Sequence, residues 1–277
     1  SMGWPLPIVA IIATIYALFG PYFPGVLAHG GFPLEELAPF QYLRTDGIFG
    51  VPLGVSASFI FLFVLFGAIL SVTGAGQFFI DLSLALTGRS QGGPGKAAVV
   101  ASGLMGTVSG SSVANAVTTG AFTIPLMKKS GYTPNFAGAV VAASSTGGQV
   151  MPPVMGAAAF IMAQFLGISY WDIVVAAAIP ATLYFLSIIA MVHFRAGKRG
   201  IQSLTEETAP RVGRVLKEGW HLLLPIITLV IFLALGYSAV KAVFWSIVLM
   251  VCVSWMGKPQ YRMTPKRLLD ALIAGGM

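Results

Sequence analysis

Residues 96–129 read KAAVVASGLMGTVSGSSVANAVTTGAFTIPLMKK, and this stretch decides the fold. Its apolar part, residues 97–127, is enclosed by lysines on both sides. A membrane-spanning helix needs about 20 apolar residues, so this part is too short for two full crossings. Two arms of about 15 residues would each rise about 22 Å at 1.5 Å per residue. The stretch therefore predicts a re-entrant helical hairpin whose tip lies past the middle of the membrane, near Ser112.

The composition of the whole chain is that of a membrane protein. Apolar residues make up 56% of the 277 residues and charged residues only 9%, whereas about 25% of an ordinary soluble domain is charged. So little charge cannot cover a water-facing surface. This excludes a soluble enzyme, a disordered chain and a nucleic-acid-binding domain, in spite of the net charge of +7. We predict an all-α, polytopic helical membrane protein.

The distribution of basic residues orients the predicted helices, because cytoplasmic loops are enriched in Lys and Arg. The loop 195–218 and the segment 257–267 are basic and are predicted to be cytoplasmic. The loop 28–46 carries one Arg and three acidic residues and is predicted to lie outside, which makes the N-terminus cytoplasmic. The lysines on both sides of residues 97–127 are then both cytoplasmic, and this is why a hairpin is required there.

We predict five segments along the chain, which differ in their relation to the membrane. Two are scaffold-like, and one contains both irregular stretches of the sequence. The segments are residues 1–46, a first transmembrane span and a periplasmic loop; 47–96, a scaffold-like span and an interfacial segment; 97–170, a transport-domain element with the hairpin 97–127 and a broken helix 133–167; 171–257, scaffold-like spans with the cytoplasmic loop 195–218; and 258–277, the start of a further apolar helix.

The second irregular stretch interrupts the predicted helix over 133–167. The run SSTGGQ (144–149) is followed by a proline pair at 152–153, and successive glycines and prolines open a helix. We predict a discontinuous transmembrane helix, with one half before residue 145 and a second half from about Val154. Irregular backbone at membrane depth is tolerated only where protein buries it or where it lines a cavity.

The two breaks offer the groups from which an uncharged binding site is built. Freed carbonyls are oxygen ligands suited to Na⁺, and the N-terminus of a half-helix near Ser111 suits a carboxylate. Two such breaks indicate a transporter site, whereas the alternative is that Ser and Gly only permit close helix packing. An intramembrane serine hydrolase is disfavoured because the histidines lie at span edges, away from the tip, and we predict no enzyme.

Three runs, in order along the chain, carry a family resemblance. They are GIFGVPLGVS (47–56), GTVSGSSVAN (106–115) and ASSTGGQVMPP (143–153), with FTIPLM (122–127) between the last two. Together they resemble the large membrane subunit of the TRAP (tripartite ATP-independent periplasmic) transporters. The resemblance covers essentially the whole chain and is greatest to the fused small-plus-large-subunit permeases of the TAXI branch.

This resemblance implies an elevator-type secondary transporter in the cytoplasmic (inner) membrane of a bacterium or archaeon, which imports organic acids with a cation gradient. The implied coupling ion is Na⁺, with H⁺ as the alternative. The implied partners are a periplasmic substrate-binding protein, small-subunit helices, the lipid bilayer and the organic-acid substrate. The implied ion- and substrate-binding residues, with Na⁺ at the same backbone breaks, are Ser109, Gly110, Ser111, Ser112, Asn115, Ser145, Thr146, Gly147, Gly148 and Pro152.

The chain departs from the family pattern at two points. Many members carry Asp where this chain has Asn115, which removes one anionic ligand. The family's large subunit has two inverted repeats, and only one hairpin with one broken helix is found here. We therefore expect a fragment with the first repeat, in which residues 258–277 are the start of a truncated second repeat. The missing second repeat would be a further partner, and we expect that the fragment does not transport alone. The alternative is a non-transporting membrane scaffold or assembly subunit.

Overall fold

The computed structural model describes residues 4–201, 203–204, 210–255 and 262–276. The described residues are helical or irregular and contain no strand, which confirms the all-α class. Their contacts divide the chain into two units, Ser1–Gly54 and Val55–Met277.

The described residues of the first unit form two helices, two short 3-10 turns and the start of a short helix at Val51. Helix α1 is apolar, and none of its residues is buried. It ends at Leu18 because Pro21 and Pro24 follow and cannot continue a helix. The elements are α1 (Pro5–Leu18), the 3-10 turns Gly20–Tyr22 and Gly25–Leu27, and α2 (Leu34–Leu43).

The second unit begins at the end of the short helix Val51–Val55 and includes the helices that follow it. A π-helical turn, Ser56–Ile60, follows this short helix, and a 3-10 turn, Trp220–Leu223, precedes the helix that begins at Leu224. The helices are α3 (Val51–Val55), α4 (Phe61–Val72), α5 (Ala75–Thr87), α6 (Gly93–Ser109), α7 (Ser112–Lys129), α8 (Pro134–Gly147), α9 (Ala157–Leu166), α10 (Tyr170–Arg199), α11 (Val212–Gly219), α12 (Leu224–Ala234), α13 (Ala239–Ser254) and α14 (Pro265–Gly276).

Three helical stretches of the described chain are long and apolar enough to cross a bilayer. They are Val51–Val72, Tyr170–Arg199 and Val212–Ala234. Their 22, 30 and 23 residues correspond to about 33, 45 and 35 Å of helix. Neither α6 nor α7 is among them, since both contain many small and polar residues. The finding fits an integral membrane protein whose hairpin arms differ in composition from its spans.

Helix α6 is the centre of the second unit and packs against α5, α7, α8 and α10. Its buried side chains are small, as at Ala98, Ala101 and Ser102, which are fully buried. Small residues let helix backbones approach closely. At Gly103 an added Cβ atom would lie 3.3 Å from the ring of Phe185 in α10. The close packing fixes both ends of α6 relative to its neighbours.

Helical structure extends further into segment 195–218 than the sequence suggested. Helix α10 continues to Arg199 and stops at Gly200, which has a left-handed φ of 64°. Two basic residues in its last turn, Lys198 and Arg199, interact favourably with the negative C-terminal end of the helix dipole. Helix α11 then begins at Val212, so that charged residues in this segment extend helices rather than form one long loop.

Candidate functional site

The turn between α6 and α7 lies where the sequence places the hairpin tip. Gly110 ends α6 with a φ of 58°, a left-handed conformation that favours glycine. Ser111 then caps α7, because its hydroxyl accepts a hydrogen bond of 3.3 Å from the amide of Ala114. The arms have 17 and 18 residues, or about 26 Å each. The free amides at the start of α7 therefore lie at the tip.

The helix break lies close to the predicted position. Helix α8 ends at Gly147, a 3-10 turn covers Gly148–Val150, and α9 begins only at Ala157. The two prolines at 152 and 153 lack the amide hydrogens that a helix needs. A loop bond from the amide of Gly156 to the carbonyl of Gln149 (2.7 Å) holds the segment in a defined shape.

The tertiary structure brings the hairpin tip and the helix break together. The Nε2 atom of Gln149 donates to the Oγ atom of Ser112 over 3.2 Å. An added Cβ at Gly110 would lie only 2.0 Å from the carbonyl oxygen of Met155. We call residues 106–115 together with residues 144–156 the tip–break site. It combines two segments that are separated along the chain by most of α7 and α8.

A buried polar cluster lies beneath this site. Asn115 is fully buried, and its Nδ2 atom donates to the carbonyl oxygen of Ser102 over 2.8 Å. The hydroxyl of Ser102 lies 3.2 Å from that of Thr119 and 3.5 Å from that of Ser145. These contacts join α6, α7 and α8 through side chains that are nearly inaccessible to solvent. Asn115 therefore positions the two hairpin arms.

The two glycines of the break leave room for side chains of neighbouring helices. An added Cβ atom at Gly147 would lie 2.2 Å from the ring of Tyr184, and one at Gly148 would lie 2.7 Å from Nδ2 of Asn115. Both glycines have helical φ values. They allow the end of α8 to approach its neighbours closely.

The remaining predicted residues lie at the edge of the site. Thr146 is exposed, and its hydroxyl donates to the carbonyl of Ala142, one turn earlier in α8. Ser111 is exposed, whereas Ser109 and Pro152 are half-buried. The hydroxyl of Ser109 lies 3.5 Å from the carbonyl oxygen of Ser111. These residues are therefore more accessible to solvent than the side chains of the buried cluster.

Tyr170 contacts the helix break, although it is not among the residues that the sequence predicts for the site. Its hydroxyl donates to the carbonyl of Pro153 (2.9 Å) and also contacts the carbonyl of Val154. The ring stacks on Phe160 of α9, with centroids 4.4 Å apart and planes 7° from parallel. Tyr170 therefore binds carbonyls that the break has freed. A tyrosine at the start of a span is also typical of an interfacial anchor, so the sequence did not distinguish the two roles.

The site carries no formal charge, since neither of its two segments contains Asp, Glu, Lys, Arg or His. Its electrostatics come from helix ends. Helices α7 and α9 begin there, with the positive ends of their dipoles, and α6 and α8 end there, with the negative ends. Such an arrangement can stabilise an anion at exposed amides and a cation at exposed carbonyls.

Asp172 and Asp81 are acidic residues beside apolar segments and do not belong to the two segments of the tip–break site. Asp172 is in the first turn of α10, where its Oδ2 atom accepts from the capping residue Ser169 over 2.8 Å. This hydrogen bond helps to cap the N-terminus of α10. Asp81 accepts a bond of 2.8 Å from Gln77 on α5. In the part of the chain that the structure describes, no cluster of three or more His, Cys, Asp or Glu side chains is present.

Comparison with known proteins identifies the family. The sequence profile of the tripartite ATP-independent periplasmic transporter, DctM component, matches residues 1–277. The chain is 30% identical over 270 residues to the uncharacterized protein y4mL of Sinorhizobium fredii, which covers 95% of this chain and 60% of that protein. It is 30% identical over 166 residues to the sialic acid TRAP transporter large permease protein SiaM of Vibrio cholerae, which covers 60% of this chain and 38% of that protein.

A further relative agrees with these two. The C4-dicarboxylate TRAP transporter large permease protein DctM of Pseudomonas aeruginosa is 27% identical over 168 residues, which covers 60% of this chain and 39% of that protein. The chain thus spans 60% or less of the length of these relatives. SiaM and DctM are transporter permeases, and the family is one of transporters and not of enzymes. The chain belongs to the DctM family, that of the large membrane subunits of the TRAP transporters.

Proposed function

We propose that this chain is a permease component that carries organic acids across the inner membrane, with the tip–break site as its binding region. The contact between Ser112 and Gln149 supports this proposal most directly, because it joins the hairpin tip to the helix break. Close helix packing alone needs small residues but no polar bond between two irregular segments. A polar bond at the exposed rim is a group that a bound ligand can compete for.

The proposed substrates are carboxylates. Three relatives are named for carboxylates, namely sialic acid, 2,3-diketo-L-gulonate and C4-dicarboxylate, and a fourth is named for isethionate, which is a sulfonate. In this chain a carboxylate would be held by the exposed amides at the start of α7 and by hydroxyls such as that of Ser112. An uncharged site of this kind binds an anion through hydrogen bonds and the helix dipole.

The proposed coupling ion is Na⁺. The break contains carbonyls that α8 and α9 do not use, and oxygen ligands suit a hard cation. The tip–break site has no carboxylate or histidine that could carry a proton, which makes H⁺ the weaker alternative. The proposed movement is that of an elevator, in which the hairpin and the broken helix move together against the longer spans.

The proposed partners are those of a large TRAP subunit. A periplasmic substrate-binding protein would supply the organic acid, and small-subunit helices would support the scaffold. A second repeat would complete the large subunit. The hairpin as a re-entrant element, the cytoplasmic N-terminus and the TAXI-branch assignment stay predictions.

Thiol labelling tests the proposed ion site in the chain itself. We would introduce Ser112→Cys on a Cys252→Ser background and reconstitute the protein in lipid vesicles. Labelling by a thiol-reactive fluorophore is expected to slow in NaCl relative to KCl at equal ionic strength. The matched control is Ser203→Cys, an exposed position in the charged segment after α10, which should label at the same rate in both salts. Equal rates at Ser112→Cys in the two salts would favour the scaffold alternative.

The same two variants test the substrate class. A C4-dicarboxylate or sialic acid, added in the presence of Na⁺, should slow labelling at Ser112→Cys further and leave labelling at Ser203→Cys unchanged. Protection by Na⁺ without protection by any organic acid would support the ion site and contradict substrate binding by this chain alone.

A further inference from the structure

Four segments of the second unit meet at the end of the bundle opposite to the tip–break site. The hydroxyl of Tyr132, after α7, donates to the carbonyl of Gly92 before α6 over 3.2 Å. The amide of Ile201 bonds the carbonyl of Ala196 at the end of α10. The amide of Leu204 bonds the carbonyl of Gly88 over 3.0 Å. The ends of α5, α7 and α10 and the start of α6 therefore share one surface.

This surface is strongly basic. The stretches 88–96, 128–134 and 193–200 supply its charges, and none of them contains Asp or Glu. We call their cationic residues the basic collar: Arg89, Lys96, Lys128, Lys129, Arg195, Lys198 and Arg199. Cations so concentrated repel one another, which favours binding of an anion from outside the bundle.

Arg195 is the most enclosed member of the basic collar. Its guanidinium carbon lies 5.6 Å from the ring centroid of Phe136, and that ring stacks on Tyr132 with centroids 5.7 Å apart. Its Nε atom is buried and has no hydrogen-bond partner among the described residues. A buried N–H donor without an acceptor is costly. An anion close to this guanidinium would offset part of that cost.

Exposed apolar side chains lie directly beside these cations. Phe194 is 74% exposed and precedes Arg195, and Met191, one turn earlier on α10, is 57% exposed. Phe122 is 55% exposed, less than two turns from Lys128 on α7. A partner that fits has an anionic head at the level of the helix ends and an apolar tail along the helices.

We propose that the basic collar binds the phosphodiester headgroup of an anionic phospholipid, with the acyl chains against α10 and α7. Phosphate oxygens match the guanidinium and ammonium donors, and clusters of cations at helix ends attract anionic lipids. The bound lipid would hold together the base of the hairpin formed by α6 and α7. This proposal does not depend on the transported substrate or on the coupling ion.

The test measures lipid-dependent stability of the intact chain. The protein is placed in nanodiscs of phosphatidylcholine alone or of phosphatidylcholine mixed with phosphatidylglycerol, and its melting temperature and bound lipids are recorded. Phosphatidylglycerol is expected to raise the melting temperature and to remain bound in native mass spectrometry. Each cation removed should weaken binding about fivefold, so the Lys128→Gln/Lys129→Gln double variant should lose most of the effect. These two exposed residues can change without a packing defect.

Two single variants separate charge from packing. Arg195→Gln should weaken lipid binding about fivefold and Arg195→Lys should retain it, because the second keeps the charge. The control is Lys241→Gln, whose ammonium lies over the ring of Tyr237 at 4.2 Å, outside the basic collar. Equal lipid effects in wild type and in all collar variants would overturn the proposal. Equal stabilisation by inorganic phosphate in phosphatidylcholine nanodiscs would assign the site to a free anion instead of a lipid.

Discussion

Gly106 of α6 and Gly148 of the helix break pack backbone against backbone: a Cβ atom added to Gly106 would lie 2.5 Å from the Cα of Gly148. Neither glycine has a left-handed φ, so the backbone conformation does not require glycine at these positions. Glycine is required there because a side chain would have no room. The contact joins the hairpin to the break across a separation of 42 positions in the sequence. It sets the separation at which Ser112 and Gln149 can bond.

Gly106→Ala should separate the hairpin from the break. The methyl group has no space, and overpacking of this kind typically costs about 1–3 kcal/mol. Gly138→Ala is the matched control, because an added Cβ there meets nothing within 4 Å and alanine is the better helix former by up to about 1 kcal/mol. Thermal unfolding in detergent should show a lower melting temperature for the first and an unchanged or higher one for the second. A neutral Gly106→Ala would contradict the close contact.

Tyr170→Phe should loosen the helix break while leaving the aromatic stack in place. The variant removes the hydroxyl that binds the carbonyls of Pro153 and Val154, and a buried acceptor left unsatisfied costs about 1–3 kcal/mol. Amide hydrogen exchange over residues 154–157 should become faster. Tyr184→Phe is the comparison, since its hydroxyl bonds Ala143 before the break; it should leave exchange in 154–157 unchanged. Identical exchange in both variants would show that Tyr170 does not hold the break.

Asn115→Asp should destabilise the hairpin more at neutral pH than at acidic pH. The Nδ2 atom of Asn115 donates to the carbonyl of Ser102, and a carboxylate cannot donate. A protonated carboxyl can restore that bond, so acidification should recover part of the melting temperature. Asn115→Ala lacks any donor and should show the same loss at both pH values, about 1–3 kcal/mol. Equal pH profiles for the two variants would argue against the bond.

Tyr132 should make stability fall at high pH. Burial raises the pKa of its hydroxyl from 10.0 to about 12. The folded state therefore favours the neutral form, and its contribution is complete below pH 10 and is lost as the pH rises from 10 to 12. Tyr132→Phe cannot ionise, so its melting temperature should fall less over this range than that of the wild type. Parallel curves for the two proteins would contradict the burial of this hydroxyl.

The local pattern predicted where helices end and begin around the site. The flanking lysines and the length of residues 97–127 predicted the turn near Ser112, and the structure has it at Gly110, with a left-handed φ, and at the capping residue Ser111. The glycine pair and the proline pair marked the break after α8, because prolines remove helix hydrogen bonds. Both features lie within about three residues of the predicted positions.

The sequence could not predict which polar side chains share a site. Ser102 and Thr119 look like ordinary small residues of an apolar helix, and only the packing of α6 against α7 and α8 places them beside Asn115 and Ser145. Thr146 follows Ser145 directly, yet the helix rotation turns it to the exposed face. Successive residues on a helix point about 100° apart, and a one-dimensional pattern does not say which direction faces the neighbour.

The sequence by itself determined the class of the molecule, since composition sets whether a chain can face water and its glycines and prolines set where helices stop. Only the tertiary structure decided that the hairpin tip meets the helix break, that Tyr170 binds the freed carbonyls and that the basic collar forms at one end. These contacts join residues far apart in the chain. Their geometry depends on how closely backbones approach at positions such as Gly106 and Gly148, which is a property of packing in three dimensions.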